Sequence, residues 1–167
     1  MEIRPATGDD AATVNRVAER AWEHDYPEFV SRETIDDTVD DWYAEEKVAS
    51  VVDADDAEIY VADDDGVVGF AHVVWDETEG DLLRLYVAPD HRREGVGTDL
   101  LSAVRDELFG KGVERIRAMV LAENDLGNAF YDHHGFERTG ESETKIGEES
   151  HPENVYTLER AKVGTEG

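Results

Sequence analysis

The apolar positions along this chain switch between a helical and an alternating period, and the switches outline its elements. "EIRPA", residues 2–6, has the short alternation of a first strand. Val14, Val17, Ala18, Ala21 and Trp22 then recur every three or four residues, as on one face of a helix, with Asp9 or Asp10 placed to cap it. Pro27 interrupts that pattern inside "EHDYPEF". Ser31 is a second cap candidate, and Ile35, Val39, Trp42 and Tyr43 make the next helical face. "DADD" is a loop, and after it the period becomes two. "AEIYVAD", the Asp65-Gly66 turn and "VVGFAHVVW" form a hairpin. "EGDLLRLYVA" adds a third strand after a turn near Thr78-Glu79-Gly80, and Pro89 stops it. Leu100, Leu101, Val104 and Leu108 restore the helical spacing up to Gly110 or Gly112. "VERIRAMVL" is a strand. "ENDLGNAFYDHH" is a helix with Leu126, Ala129, Phe130 and His133 on one side, ended at Gly135, and "FERTGE" and "NVYTLER" close the chain as two strands.

The order is strand, two helices, three strands, helix, strand, helix, two strands. It predicts an α/β (α+β) fold, a mixed sheet with helices on both faces. A length of 167 residues with no internal repeat or linker predicts one domain over 1–160 and a frayed tail over 161–167.

Composition narrows the chemistry. There is no cysteine, which excludes disulfides, thiolate metal sites and a cysteine nucleophile. The N-terminus lacks the basic start and apolar core of a signal peptide, and no apolar run approaches the ~20 residues of a membrane span, so a soluble, cytoplasmic protein is expected. The net charge is −26, with 42 acidic residues against 16 basic ones. Disorder does not explain it, because apolar periodicity runs through most of the chain. The acid is spread over "DDTVDDW", "DADDAE", "ADDDG" and "GEESHPE" rather than gathered in one docking patch. A surface adapted to high salt, as in a halophile, fits best, since a Debye length of ~3 Å at molar salt removes self-repulsion. Without a basic face the chain is not expected to bind nucleic acid or a membrane surface.

Two local patterns imitate metal sites. His133 and His134 are adjacent on a helix and point about 100° apart, unlike paired ligands at i and i+4. The aspartate runs lack the alternation and the glutamate at position twelve of a calcium loop. No metal is expected.

One stretch stands out: "HRREGVGTDLL", His91 to Leu101, between a strand and a helix. Gly95 and Gly97 remove the Cβ atoms that would block a bulky phosphate. The amides of the turn and helix N-terminus make an anion site, to which Arg92 and Arg93 add charge. A tight turn before a helix explains the glycines equally well. The dinucleotide fingerprint would need a third glycine where Leu100 stands, and a P-loop would need Gly-Lys-Ser/Thr; both are absent.

"LYVAPDHRREGVGTDLL" resembles the acyl-CoA-binding motif of the Gcn5-related N-acetyltransferase (GNAT) family, Gln/Arg-x-x-Gly-x-Gly/Ala after a strand and a proline. "NDLGNAFYDHHGF" is similar to the family's second signature and places Asn124, Tyr131, Gly135 and Phe136, with Gly127 where an alanine is usual. The resemblance implies a sheet of six to seven strands splayed between the fourth and fifth. It implies acetyl-CoA as co-substrate, with no metal. The backbone of Arg92, Arg93, Glu94, Gly95, Val96, Gly97 and Thr98 would cradle the pyrophosphate, Leu85, Tyr86 and Val87 would pair with the pantetheine arm, and Asn124 would hold the same arm.

The reaction so implied is acetyl transfer to a primary amine: a protein N-terminus, a lysine or a small-molecule amine. An ammonium with pKa ~10.4 must lose a proton before it attacks. The leaving thiolate needs an acid, and Tyr131, a phenol of pKa ~10, fits that role and would also touch the cofactor. The absence of cysteine implies direct attack in a ternary complex. A strand amide near Val87 would serve the oxyanion. For the base, the family's glutamate at the start of the fourth strand corresponds to Asp81, which alternation would put on the face of Leu83, Leu85 and Val87. Another branch uses a position that is Met119 here. Glu79, His72 and Glu123 are backups acting through water. Trp22, His24, Tyr26 and Phe29 are expected to line the acceptor site. Dimers are frequent in the family, which leaves a homodimer open. An acyl-CoA-binding sensor that kept the fold and lost turnover is the alternative function.

Overall fold

In the computed structural model the described residues are 2–25, 44–52, 54–64, 66–88, 95–146 and 149–160. The elements, in chain order, are β1 (Glu2–Pro5), a 3-10 turn (Gly8–Asp10), α1 (Ala11–Asp25), α2 (Glu45–Val52), β2 (Ala57–Asp63), β3 (Val67–Trp75) and β4 (Glu79–Val87). They continue with α3 (Val96–Gly110), β5 (Arg115–Leu121), α4 (Asp125–His133), β6 (Glu137–Ile146) and β7 (Glu149–Glu159). The seven strands form one sheet in the order β1-β2-β3-β4-β5-β7-β6. Only β4 and β5 run parallel; every other neighbouring pair is antiparallel.

The central strands β2 to β5 send side chains to two separate cores, one on each face of the sheet. On one face Val14, Val17, Ala18 and Ala21 of α1 and Val48 of α2 bury Ile59, Val61, Phe70, Tyr86 and Leu121. On the other face Leu100, Leu101, Val104 and Leu108 of α3, with Tyr131 of α4, cover Ala71, Val73, Leu82, Ile116 and Ala118. Helices on both faces of a mixed sheet are what the order of periods predicts.

Several local expectations are corrected. Asp10 does not cap α1 in the expected sense. Its carboxylate accepts from the Thr7 amide at 2.8 Å and forms an ion pair with Arg4 at the same distance, so it stitches β1 to the helix entry. Arg4 holds its pKa below the usual aspartate value, helped by the Thr7 amide. The helix α2 was not foreseen, since its "EEKVASVV" lies between the expected second helix and the loop at "DADD". The face of Ile35, Val39, Trp42 and Tyr43 lies outside the described residues, as does the tail from 161 on. The last two strands are longer than their apolar cores announced, because β6 is mostly polar and pairs along β7 from Glu137 to Ile146.

Two glycines let α3 lie close on the sheet. A Cβ on Gly69 of β3 would stand 2.9 Å from the Tyr86 carbonyl oxygen and 3.3 Å from both Leu100 and Val96. A Cβ on Gly80 of β4 would stand 2.8 Å from Leu108. The first and last turns of α3 are therefore seated on β3 and β4, which fixes where its N-terminus opens. Alanine in a strand interior is ordinarily the better residue. Gly69→Ala is nevertheless expected to lower stability by about 1–3 kcal/mol through overpacking. Urea denaturation measures this, and a neutral or stabilising alanine would show that α3 does not rest on Gly69.

Candidate active site

The site begins where β4 leaves β5. The two strands pair only from Glu79–Arg115 to Leu82–Ala118 and then part. The cause lies in β4 itself. On the β3 side, Val73 pairs with Leu82 and His72 with Arg84, so one extra residue, Leu83, is inserted there. Such a bulge bends the strand and resets its alternation. Before it, Leu82 faces α3; after it, Leu85 and Val87 face α3 and α4 while Tyr86 turns to α1, edge-on to Phe70 with ring centroids 5.5 Å apart.

That reset corrects one expectation. Asp81 does not share the face of Leu85 and Val87. It points to the opposite face, beside Arg117, which binds both its oxygens at 2.9 and 3.0 Å. Glu79 stands in the same network, 3.0 Å from Arg115 and 3.3 Å from Arg117. His72 is half-buried opposite Arg84; desolvation first, and the Arg84 charge second, pull its pKa down to about 4, so it is neutral near pH 7. Glu123 lies at the end of β5, 4.0 Å from His151.

At the other rim of the opening, Gly95 is the residue before α3. It has φ +85°, a left-handed conformation suited to glycine, and no atom lies within 4 Å of where its Cβ would be. The first helical bond runs from the Asp99 amide to the Gly95 carbonyl at 3.0 Å. The amides of Val96, Gly97 and Thr98 therefore have no partner within the helix and point out of its N-terminus. Gly97 has ordinary space for a methyl group, its nearest contact being Phe130 at 3.4 Å. Among the described residues the packing does not by itself require a glycine at position 97. Bare amides at a positive helix end fit a diphosphate. Thr98 also reaches His134 at the far end of α4, at 3.3 Å. Arg92, Arg93 and Glu94 lie outside the described residues, as do Tyr26 and Phe29. Trp22 and His24 fall near the C-terminal end of α1, and their side chains are not among those described.

Tyr131 comes from α4 into the aromatic group of Phe130, Phe136 and Tyr156, with ring centroids 5.3 to 5.9 Å away. Its hydroxyl has no hydrogen-bond partner among the described residues. Burial pushes its pKa up, while the Arg84 charge draws it down and Tyr86 adds a smaller upward push. Arg84 and Tyr86 belong to the opposite face of β4, past the point where β5 has left. Tyr131 packs in the same core as Leu85 and Val87, the residues of β4 beyond the point where β5 has left, which sets it beside the gap.

The anchor of α4 was not foreseen. Asn128, one turn before Tyr131, donates to the carbonyls of Leu121 and Asn124 at 3.1 and 2.7 Å and accepts from Asn154 and Tyr156 at 2.6 and 2.8 Å. It ties the helix to β5 and β7. The only signal in the sequence was a polar residue among apolar positions of the α4 stripe. Asn124, expected to hold the pantetheine arm, is the N-cap of α4 and accepts from the Gly127 amide at 3.0 Å. Gly127 is needed for that turn, since a Cβ there would lie 2.6 Å from Val120.

A parted parallel strand pair beside a helix N-terminus free to take an anion is the arrangement of an acyl-CoA-dependent N-acetyltransferase. Residues 55–138, half of the chain, match the Acetyltransferase (GNAT) domain family, and the chain belongs to it. It is 26% identical over 141 residues to a spermidine N(1)-acetyltransferase of Thermoplasma acidophilum, covering 81% of this chain and 88% of that protein. The solved structure of a PaiA N-acetyltransferase from the same organism, in complex with coenzyme A, superposes with a TM-score of 0.83 at 25% identity, over 95% of this chain and 98% of that one. The fold is also that of the ribosomal-protein-S18-alanine N-acetyltransferase of Escherichia coli, with a TM-score of 0.72 at 21% identity over 95% and 92% of the two chains. Among the described residues there is no group of three or more His, Cys, Asp or Glu that could hold a metal, and no helix is long and apolar enough to cross a membrane.

The two glycines should separate on substitution. Gly95→Ala forces a side chain into the left-handed region and is expected to cost about 1–2 kcal/mol of stability. Gly97→Ala is expected to leave thermal stability unchanged and to weaken coenzyme A binding by about tenfold, about 1.4 kcal/mol. Calorimetric titration of both variants checks this; full-strength binding by Gly97→Ala would remove the glycine from the cofactor site.

Proposed function

We propose that this chain transfers the acetyl group of acetyl-CoA to a primary amine by direct attack within a ternary complex, with Tyr131 as the general acid. The observation that carries the reading is the Tyr131 hydroxyl, buried at the β4–β5 gap and committed to no other group among the described residues. A phenol whose pKa is raised stays protonated across the neutral range and can give its proton only to a strong base formed beside it. A thiolate leaving at the same buried place is as poorly solvated as the phenolate, so desolvation raises the basicity of both.

In this reading the α3 N-terminus from Gly95 to Thr98 holds the pyrophosphate, and the part of β4 from Leu85 to Val87 lies along the pantetheine arm. An amide near Val87 receives the oxyanion. The acceptor arrives from the α1 face, the side on which Trp22 and His24 stand in sequence. The acceptor favoured here is a small polyamine. Support comes from the acetylated substrate in the relative's name and from the strongly negative charge of the chain, which draws cations to it.

A catalytically weak acyl-CoA sensor is the second reading, and the engagement of Asp81 by Arg117 is on its side, because it occupies the carboxylate expected to act as base. Thiol release from acetyl-CoA with spermidine, a lysine peptide and a protein N-terminal peptide separates the two. Turnover with an amine supports the transferase; micromolar coenzyme A binding without turnover supports the sensor. Tyr131→Phe is expected to lower kcat by about 100-fold or more while coenzyme A binding stays intact. Unchanged kcat in that variant would reject the acid role.

A further inference from the structure

We propose that Glu153 of β7 is the carboxylate that receives the acceptor's ammonium group and takes its proton, a catalytic residue that rests on the amine-acetylation reading above. Glu153 pairs with Leu121 of β5 and shares its face, the side of the sheet covered by α1 and α2. Arg84 of β4 lies on that same face, and its guanidinium stands 3.7 Å from the Glu153 carboxylate. In the sheet β5 lies between the strands of these two residues. The pair therefore spans the opening left where β4 parts from β5, on the side opposite α3 and α4. Tyr131 shares its core with Leu85 and Val87, the part of β4 beyond its pairing with β5, on the α3–α4 side of that opening. Carboxylate and phenol therefore lie toward one opening from its two faces.

The surroundings of Glu153 are unusual for an acid in a chain this charged. Its side chain is 9% exposed, and its only partner among the described residues is Arg84, at ion-pair rather than hydrogen-bond distance. A buried carboxylate normally collects several donors. Among the described residues Glu153 has acceptor capacity to spare, and an ammonium supplies the missing donors. Burial raises its pKa above the usual glutamate value, with Arg84 opposing, so it binds a proton more readily than a solvated acid would. Arg84 has a second effect: its positive charge lowers the pKa of an ammonium brought alongside. Asp81, by contrast, has both its oxygens engaged by Arg117.

The protons balance as follows. Glu153 takes one proton from the ammonium and passes it to solvent. Tyr131 gives its proton to the sulfur as the C–N bond forms and the C–S bond breaks, and regains one from the nitrogen that becomes the amide.

The test is the pH dependence of acetyl-CoA turnover by the full chain with spermidine as the probe amine, alongside calorimetric coenzyme A binding. The described titratable and charged groups around Glu153 are Arg84 and Tyr86 on β4, His72 on β3, His151 on its own strand, Glu123 beside His151, and Tyr131. Glu153→Gln is expected to lower kcat/KM about 100-fold or more and to displace the acidic limb of the profile upward, toward the pKa of the free amine, with coenzyme A binding kept. Glu153→Asp, which withdraws the carboxylate by one methylene, is expected to lower kcat and keep the limb. If the wild type turns over normally and Glu153→Gln matches it in kcat/KM and in the limb, this assignment is wrong while the transferase reading stands. A limb displaced upward by Asp81→Asn and unmoved in Glu153→Gln gives the base role to Asp81. Absence of thiol release from the wild type with any amine overturns the parent reading, and this one with it.

Discussion

The geometry of the site follows from one inserted residue. Leu83 enlarges β4 against β3, and from that point the strand cannot stay parallel to β5. A parallel pair buried between two helical layers would normally continue as a ladder to the end of the shorter strand. Here it stops after four residues of register, leaving a strand edge in the middle of the sheet. The same insertion turns Leu85 and Val87 to one face and leaves Arg84 and Tyr86 on the other. A main-chain edge and an access route between the two faces therefore have one origin.

An opening in the centre of a sheet weakens the sheet, and the surrounding packing compensates. The helix α3 is held close by the missing side chains of Gly69 and Gly80. The helix α4 is clamped by Asn128, which joins it to β5 and β7 through buried hydrogen bonds worth more in a low-dielectric interior than on the surface. On the α1 face, Arg115 and Arg117 cross-link the part of β4 that is still paired to β5 and, through Glu159, to β7. The two ends of the opening are thus set by packing, hydrogen bonds and ion pairs.

The regular parts of this fold were legible because alternation and helical spacing are local. The strands from Ala57 to Asp63 and from Val67 to Trp75 were bounded correctly by their apolar pattern and turn residues, and the glycines of the α3 turn drew attention by spacing alone. What escaped was non-local. The bulge at Leu83 depends on register with β3, which no pattern within β4 reveals, so Asp81 was assigned to the wrong face. Asn128 looked like one polar residue in an amphipathic helix, and its partners Asn154 and Tyr156 lie 26 and 28 residues away. Glu153 fell outside the expected strand because "HPEN" has the composition of a loop, yet β7 begins at Glu149.

The charge of the chain makes the charge of the opening more telling. Against 42 acidic residues, the groups described around the β4–β5 gap are an arginine, a histidine kept neutral by burial, two phenols and one carboxylate with little hydrogen bonding. A surface carboxylate costs almost nothing and carries little information in such a protein. A buried one costs desolvation energy that a single ion pair at 3.7 Å does not recover. A fold that supplies Asp10 with Arg4 and a backbone amide, and Asp81 with two bonds from Arg117, has the means to satisfy its acids. Among the described residues Glu153 is left wanting donors beside the opening between β4 and β5, and unmet hydrogen-bonding capacity at an opening marks where the protein is built to meet something other than itself.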